Sequence, residues 1–169
     1  MVEHEGAFSG NRLEDFALAV RLVKELWEPG LPLTSNLANV SALLKQCLGR
    51  TNWVGFYLMN GQGSQLVLGP FQGLPACTRI LVGKGVCGTA AATRKTQLVP
   101  DVHEFPGHIS CDGASLSEMV VPIIREDSVL GVLDVDSPEK ARFDAVDQEW
   151  LERVVQELVK LWPVTWLGW

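Results

Sequence analysis

Long apolar runs, Cys-x-x-Cys pairs, excess positive charge, internal repeats and low-complexity tracts are all missing from this chain of 169 residues. Each absence excludes a class. Without an apolar run long enough to cross a bilayer, no membrane-spanning segment is expected. Four cysteines in a chain of this size are too few for a disulfide scaffold, and free thiols are the expectation. A net charge of −6 argues against a nucleic-acid partner, which needs a basic face. The acidic start, Met1-Val2-Glu3-His4-Glu5, has no apolar core and does not read as a signal peptide, so a cytoplasmic protein is expected. What is present is an ordinary globular composition, with 47% hydrophobic residues, enough for one domain with a full core.

Apolar positions Leu13, Phe16, Ala17, Val20, Val23 and Trp27 recur at helical spacing, and Leu18, Leu22 and Leu26 add a second stripe. A helix apolar on two faces can pack on its own domain and on a second copy. Pro29-Gly30 stops it, and Thr34 or Ser35 is a plausible N-cap for a second helix whose apolar face is Leu37, Val40, Leu44 and Cys47. Cys47 therefore reads as core. Residues 52–59 alternate as a strand, with Trp53, Gly55, Tyr57 and Met59 on one face. Short strands are expected at 66–68, 78–82 and 97–99, a small-residue helix at 86–93, a hairpin of 119–124 with 129–135, and a closing helix capped by Asp144. Helices at both ends of a mostly antiparallel sheet make an α+β domain.

Gly83-Lys84-Gly85-Val86-Cys87-Gly88 matches G-x-G-x-x-G. A dinucleotide loop would need a continuing βαβ alternation, which Pro100 interrupts, so the glycines read as a tight turn beside a pocket. His103, His108 and Cys111 do not have the spacing of a common zinc finger, and no metal site is expected from them. Asp134 and Asp136 alternate within an apolar strand and so share one sheet face. Close carboxylates repel unless a cation or shared proton relieves them, and a ligand ammonium would do so. Glu118, opening the preceding hairpin strand, can reach the same face, while Trp53 and Tyr57 can wall an apolar group or simply pack in the core. Cys77, Cys87 and Cys111 lie in glycine- or proline-rich surroundings, as suits thiols in a sulfenic-acid cycle.

The segments Gly73-Leu74-Pro75-Ala76-Cys77, Gly83 through Ala90, Asp101-Val102-His103 and Pro106 through Asp112 strongly resemble the free methionine-(R)-sulfoxide reductases. Asn52 through Tyr57 and Gly131 through Ser137 continue the match, which spans roughly residues 13–160. The resemblance implies a GAF domain at 13–162 between tails at 1–12 and 163–169, with a six-stranded antiparallel sheet flanked by helices, commonly a homodimer. It implies reduction of the free R-sulfoxide with electrons from thioredoxin as an external reductant and no bound cofactor. Cys111 corresponds to the nucleophile and Cys77 to the resolving thiol, with Cys87 the third cysteine. A Cys77–Cys111 pairing is favoured over Cys87–Cys111. Trp53 and Tyr57 correspond to the wall around the methyl and sulfoxide, and Glu118, Asp134 and Asp136 to the acids around the amino group and the sulfoxide oxygen. Ser110 and Gly113 replace expected alanines, and the tryptophan-rich tail lies outside the pattern. The competing expectations are a non-catalytic GAF module that binds a small molecule, and a redox-switch interaction protein.

Overall fold

A computed structural model describes residues 8–109 and 113–164. In order the elements are α1 (Arg12–Leu26), α2 (Leu33–Cys47), β1 (Trp53–Met59), β2 (Gln65–Gln72), β3 (Arg79–Leu81), α3 (Gly85–Thr93), β4 (Gln97–Val99), a 3-10 turn (Val102–Glu104), β5 (Ser117–Arg125), β6 (Ser128–Ser137) and α4 (Ala145–Leu161). The strands form a six-stranded sheet of order β3-β2-β1-β6-β5-β4. Every neighbouring pair is antiparallel.

The helix ends follow local chemistry. Asp144 caps α4 by accepting from the Val146 and Asp147 amides, while the Asp147 carboxylate accepts from the Asp144 amide. The second helix corrects one expectation. It begins at Leu33 after Pro32, and neither Thr34 nor Ser35 caps it. Proline at a helix start comes with a suitable φ and lacks an N–H that would need a partner. The preceding turn is held instead by Asn36, whose side chain accepts from the Glu28 amide at 2.9 Å and donates to its carbonyl at 3.0 Å.

The second strand is another correction, running from Gln65 to Gln72 through Gly69 and Pro70 rather than stopping near residue 68. Its pairing with β3 covers only Gln65 to Val67. Its pairing with β1 shifts register between Gly55 and Tyr57, so Gly69 and Pro70 sit at a bulge, where a strand tolerates proline.

Alternation divides the sheet between two cores. Val54, Phe56, Leu58, Met119, Val121, Leu133 and Val135 face a layer of α1, α2 and α4. Trp53, Tyr57, Val120 and Val132 face α3, through Val86, Cys87, Ala90 and Ala91. All seven residues of β1 are therefore buried. The long helices lie on one face and short α3 on the other, so the functional face is covered only by a small-residue helix and loops. Gly88 lets α3 approach this closely, since a Cβ there would overlap the Leu81 carbonyl oxygen. The glycine motif is thus a strand–turn–helix in an antiparallel sheet, not a dinucleotide unit.

Candidate active site

Register brings the acids together. Trp53 of β1 pairs with Asp136 of β6, and Asp136 pairs with Glu118 of β5 on its other side. One row along, Gly55, Asp134 and Val120 line up in the same way, and next Tyr57, Val132 and Pro122. Period-two alternation turns these side chains to the face under α3. The absence of a side chain at Gly55 leaves space taken up by Trp53 and Phe71.

A pocket opens here, lined by Tyr57, Ile80, Gly85, Val86, Cys87, His108, Ile109, Ser115, Glu118, Asp134 and Asp136. Glu118 and Asp134 are buried, and Asp136 is half-buried. Burial, followed by the charges of Asp134 and Asp136, pushes the Glu118 carboxyl well above its ordinary range. Burial also raises Asp134, though hydrogen bonds from Cys87, Glu118 and the Val135 amide pull it back toward ionisation. The consistent assignment is a protonated Glu118 beside a more acidic Asp134, two carboxyls sharing one proton. Among the described residues, Asp134 Oδ1 is buried with no hydrogen-bond partner. A buried carboxylate oxygen left this way is costly unless a ligand donor meets it.

The aromatic residues serve the pocket differently. Tyr57 lines it and donates its hydroxyl to the Cys77 carbonyl at 3.0 Å, tethering the segment after β2 to the pocket floor. Trp53 stands behind it, its ring 5.8 Å from Tyr57 and 5.2 Å from Phe71 in stacked geometry. Its indole N–H donates to the Leu74 carbonyl at 3.2 Å. The core-packing and pocket-wall readings thus describe the same strand face.

The thiols fall into distinct environments. Cys77 is disulfide-bonded, while Cys47 and Cys87 are free. Burial pushes the Cys47 thiol up to about 12, as fits its packing against the helical core. Cys87, at the start of α3, is buried with Sγ 4.0 Å from Glu118 Oε1. Burial and the acids Asp134 and Glu118 raise its thiol well above normal, so proximity to a helix start does not make it a thiolate. Cys111, with Ser110 and Asp112, lies outside the described residues.

Sequence reasoning did not place His108, Ile109, Ile80 or Ser115 in the pocket. The His108 Nε2 is 3.7 Å from Glu118 Oε2, and burial lowers its pKa, with His103 adding to the effect. His103 instead is exposed and contacts Asp101 at 3.0 Å. The sequence signals for His108 were its place in a long loop that lacks apolar periodicity, its spacing to His103 and Cys111, which does not match a common zinc finger, and its place in the segment that resembles the reductase family.

An antiparallel sheet with a layer of long helices behind it and a small acidic pocket beneath a short helix in front is the architecture of a GAF domain. Residues 39–159 match the family model described as GAF domain. The chain is 45% identical to the free methionine-R-sulfoxide reductase of Escherichia coli, over 92% of this chain and 93% of that protein. It is 50% identical to the Saccharomyces cerevisiae protein of the same name, over 74% and 73%. Among solved structures, the fRMsr of Staphylococcus aureus in complex with substrate is 48% identical, with a TM-score of 0.81 over 88% of this chain and 95% of that one. The Neisseria meningitidis free methionine-R-sulfoxide reductase in complex with its substrate is 41% identical, with a TM-score of 0.80 over 89% and 87%. The chain belongs to the GAF domain family and, within it, to the free methionine-R-sulfoxide reductases. Among the described residues, no helix is long and apolar enough to cross a membrane.

Proposed function

We propose that this protein reduces free L-methionine-R-sulfoxide to methionine through a cysteine sulfenic acid and an intramolecular disulfide. The observation that carries this most is the buried Asp134 Oδ1, without a hydrogen-bond partner among the described residues, beside a Glu118 carboxyl that burial pushes well above its ordinary range. One group suits an ammonium and the other an oxygen that must gain a proton. Asp134 and Asp136 receive the free amino group, which peptide-bound methionine lacks. Tyr57, backed by Trp53, encloses the methyl end.

The Cys111 thiolate attacks the sulfoxide sulfur while Glu118 delivers its proton to the oxygen. The methionine sulfur–oxygen bond breaks as the hydroxyl transfers to the Cys111 sulfur, the transient bond between the two sulfurs is lost, and methionine leaves a sulfenic acid behind. The Cys77 thiol then attacks the sulfenic sulfur, a disulfide forms and water departs. The disulfide-bonded state of Cys77 supports its role as the resolving thiol. Cys87, a protonated thiol against Glu118, supports the acid rather than acting as the first nucleophile. Two electrons from the thioredoxin dithiol restore both cysteines, so the cycle uses no bound cofactor and belongs in the reducing cytoplasm. A homodimer completes the proposal, with Leu13, 59% exposed on α1, as a contact.

A thioredoxin-coupled assay of the two free epimers tests the activity. Turnover of the R epimer with little of the S epimer is expected. No turnover of either, with tight binding of a nucleotide or amino acid by calorimetry, would identify a non-catalytic GAF module instead.

A further inference from the structure

The donor set at the bottom of the pocket has a capacity that sulfoxide reduction does not use. One ligand atom each from Cys87, Glu118 and Asp134 lies within 4.8 Å of the other two, and all three residues are buried. The Cys87 Sγ–Glu118 Oε1 separation is 4.0 Å, and His108 Nε2 stands 3.7 Å from the other Glu118 oxygen. Around a tetrahedral zinc ion with ordinary bond lengths, donors lie about 3.3–3.5 Å from one another. The Cys87–Glu118 edge exceeds this by about 0.5 Å, which a small side-chain adjustment closes, while His108 faces the second Glu118 oxygen from outside the three-donor group. Asp134 Oδ1, buried and without a hydrogen-bond partner among the described residues, is a further sign of an unmet cation. Among the described lining residues there is no lysine or arginine to meet that need. The lining also reaches solvent through the pocket, so an ion can enter.

We propose that Cys87, Glu118 and Asp134, with water completing the coordination and His108 as an outer partner of Glu118, form a binding site for a borderline-soft divalent cation such as Zn2+ or Co2+, which occupies the place of the ligand's ammonium and so blocks the pocket. The ligand types select the ion: a thiolate donor favours zinc-like metals, whereas magnesium and calcium take oxygen ligands. Binding changes no oxidation state. The cation displaces the protons of Cys87 and Glu118 to the buffer and forms bonds to sulfur and oxygen. The site itself stands on side-chain geometry; only its competition with substrate rests on the proposed reductase activity.

Titration of the full chain with Co2+, followed by absorption, tests this with the cysteines reduced and again after oxidation of Cys77 to its disulfide. One equivalent with a thiolate-to-cobalt charge-transfer band is expected in both states. Cys87→Ser should abolish the band while retaining the wild-type circular dichroism spectrum. Asp134→Asn should weaken binding by more than the about 10–100-fold that outer-shell substitutions cost, and His108→Gln, which removes the outer partner of Glu118, by about that amount. Free methionine should displace the metal. Absence of the band, or its survival in Cys87→Ser, overturns the site, and indifference to saturating methionine overturns the competition. An intact cobalt site in a chain without reductase activity would instead refute the reductase assignment alone.

Discussion

Replacing Asp134 with asparagine separates recognition from stability. The side chain keeps its size but loses its charge, so a ligand ammonium loses a charge-assisted hydrogen bond worth about 1.5–3 kcal/mol. At 1.4 kcal/mol per factor of ten, KM for the free sulfoxide should rise about 10- to 100-fold. Because the amino group is held alike before and during the chemistry, kcat should move less. Stability should respond in the opposite direction. The folded Asp134 carboxyl is raised from 3.8 to about 7 by burial. The native state therefore retains a proton that the unfolded chain has lost, and stability declines as pH rises through that window. The deprotonated group then carries a cost of a few kcal/mol that asparagine removes. Melting of Asp134→Asn should match or exceed wild type at pH 8, the difference shrinking toward pH 4. Steady-state kinetics and thermal melts across this range measure both effects. An unchanged KM, or a mutant less stable at pH 8 than at pH 4 relative to wild type, would refute the reasoning.

Cys77→Ser should still release about one methionine per chain in a single-turnover experiment and then stop, because the sulfenic acid forms but is not resolved. Cys111→Ser should release none, as quantified by chromatography of quenched reactions. Gly55→Ala places a Cβ into Phe71 and 2.7 Å from the Trp53 ring. Overpacking of this kind costs about 1–3 kcal/mol, read as a lower melting midpoint, and the displaced indole should also raise KM.

The parts of the site carried on strands were legible because strand geometry converts sequence spacing into direction. The alternation Asp134-Val135-Asp136 placed two acids on one face, and hairpin pairing brought Glu118 opposite Asp136. Tight turns were legible too: Glu126 and Asp127 separate β5 from β6. Loop contributions were harder to see. His108 and Ser115 arrive from either side of a long loop, and their approach to β5 and β6 depends on tertiary packing that no local period encodes. Two element ends were also missed: α2 starts after Pro32 without a side-chain cap, and β2 continues through Gly69 and Pro70 across a bulge. The different protonation of Glu118 and Asp134 was also hidden, since identical functional groups acquire their difference from burial and from each other.

The most direct test compares free L-methionine-R-sulfoxide with its N-acetyl derivative in the thioredoxin-coupled assay. The amino group is the feature that Asp134 and Asp136 recognise, and acetylation removes its charge while leaving the sulfoxide unchanged. A site that leaves buried polar groups unpaired against the wrong ligand discriminates strongly. The expected kcat/KM for the N-acetyl compound is lower by about 100-fold or more, corresponding to a loss of at least ~3 kcal/mol. Equal reduction of both compounds would contradict the assignment of the buried acids to amino-group recognition.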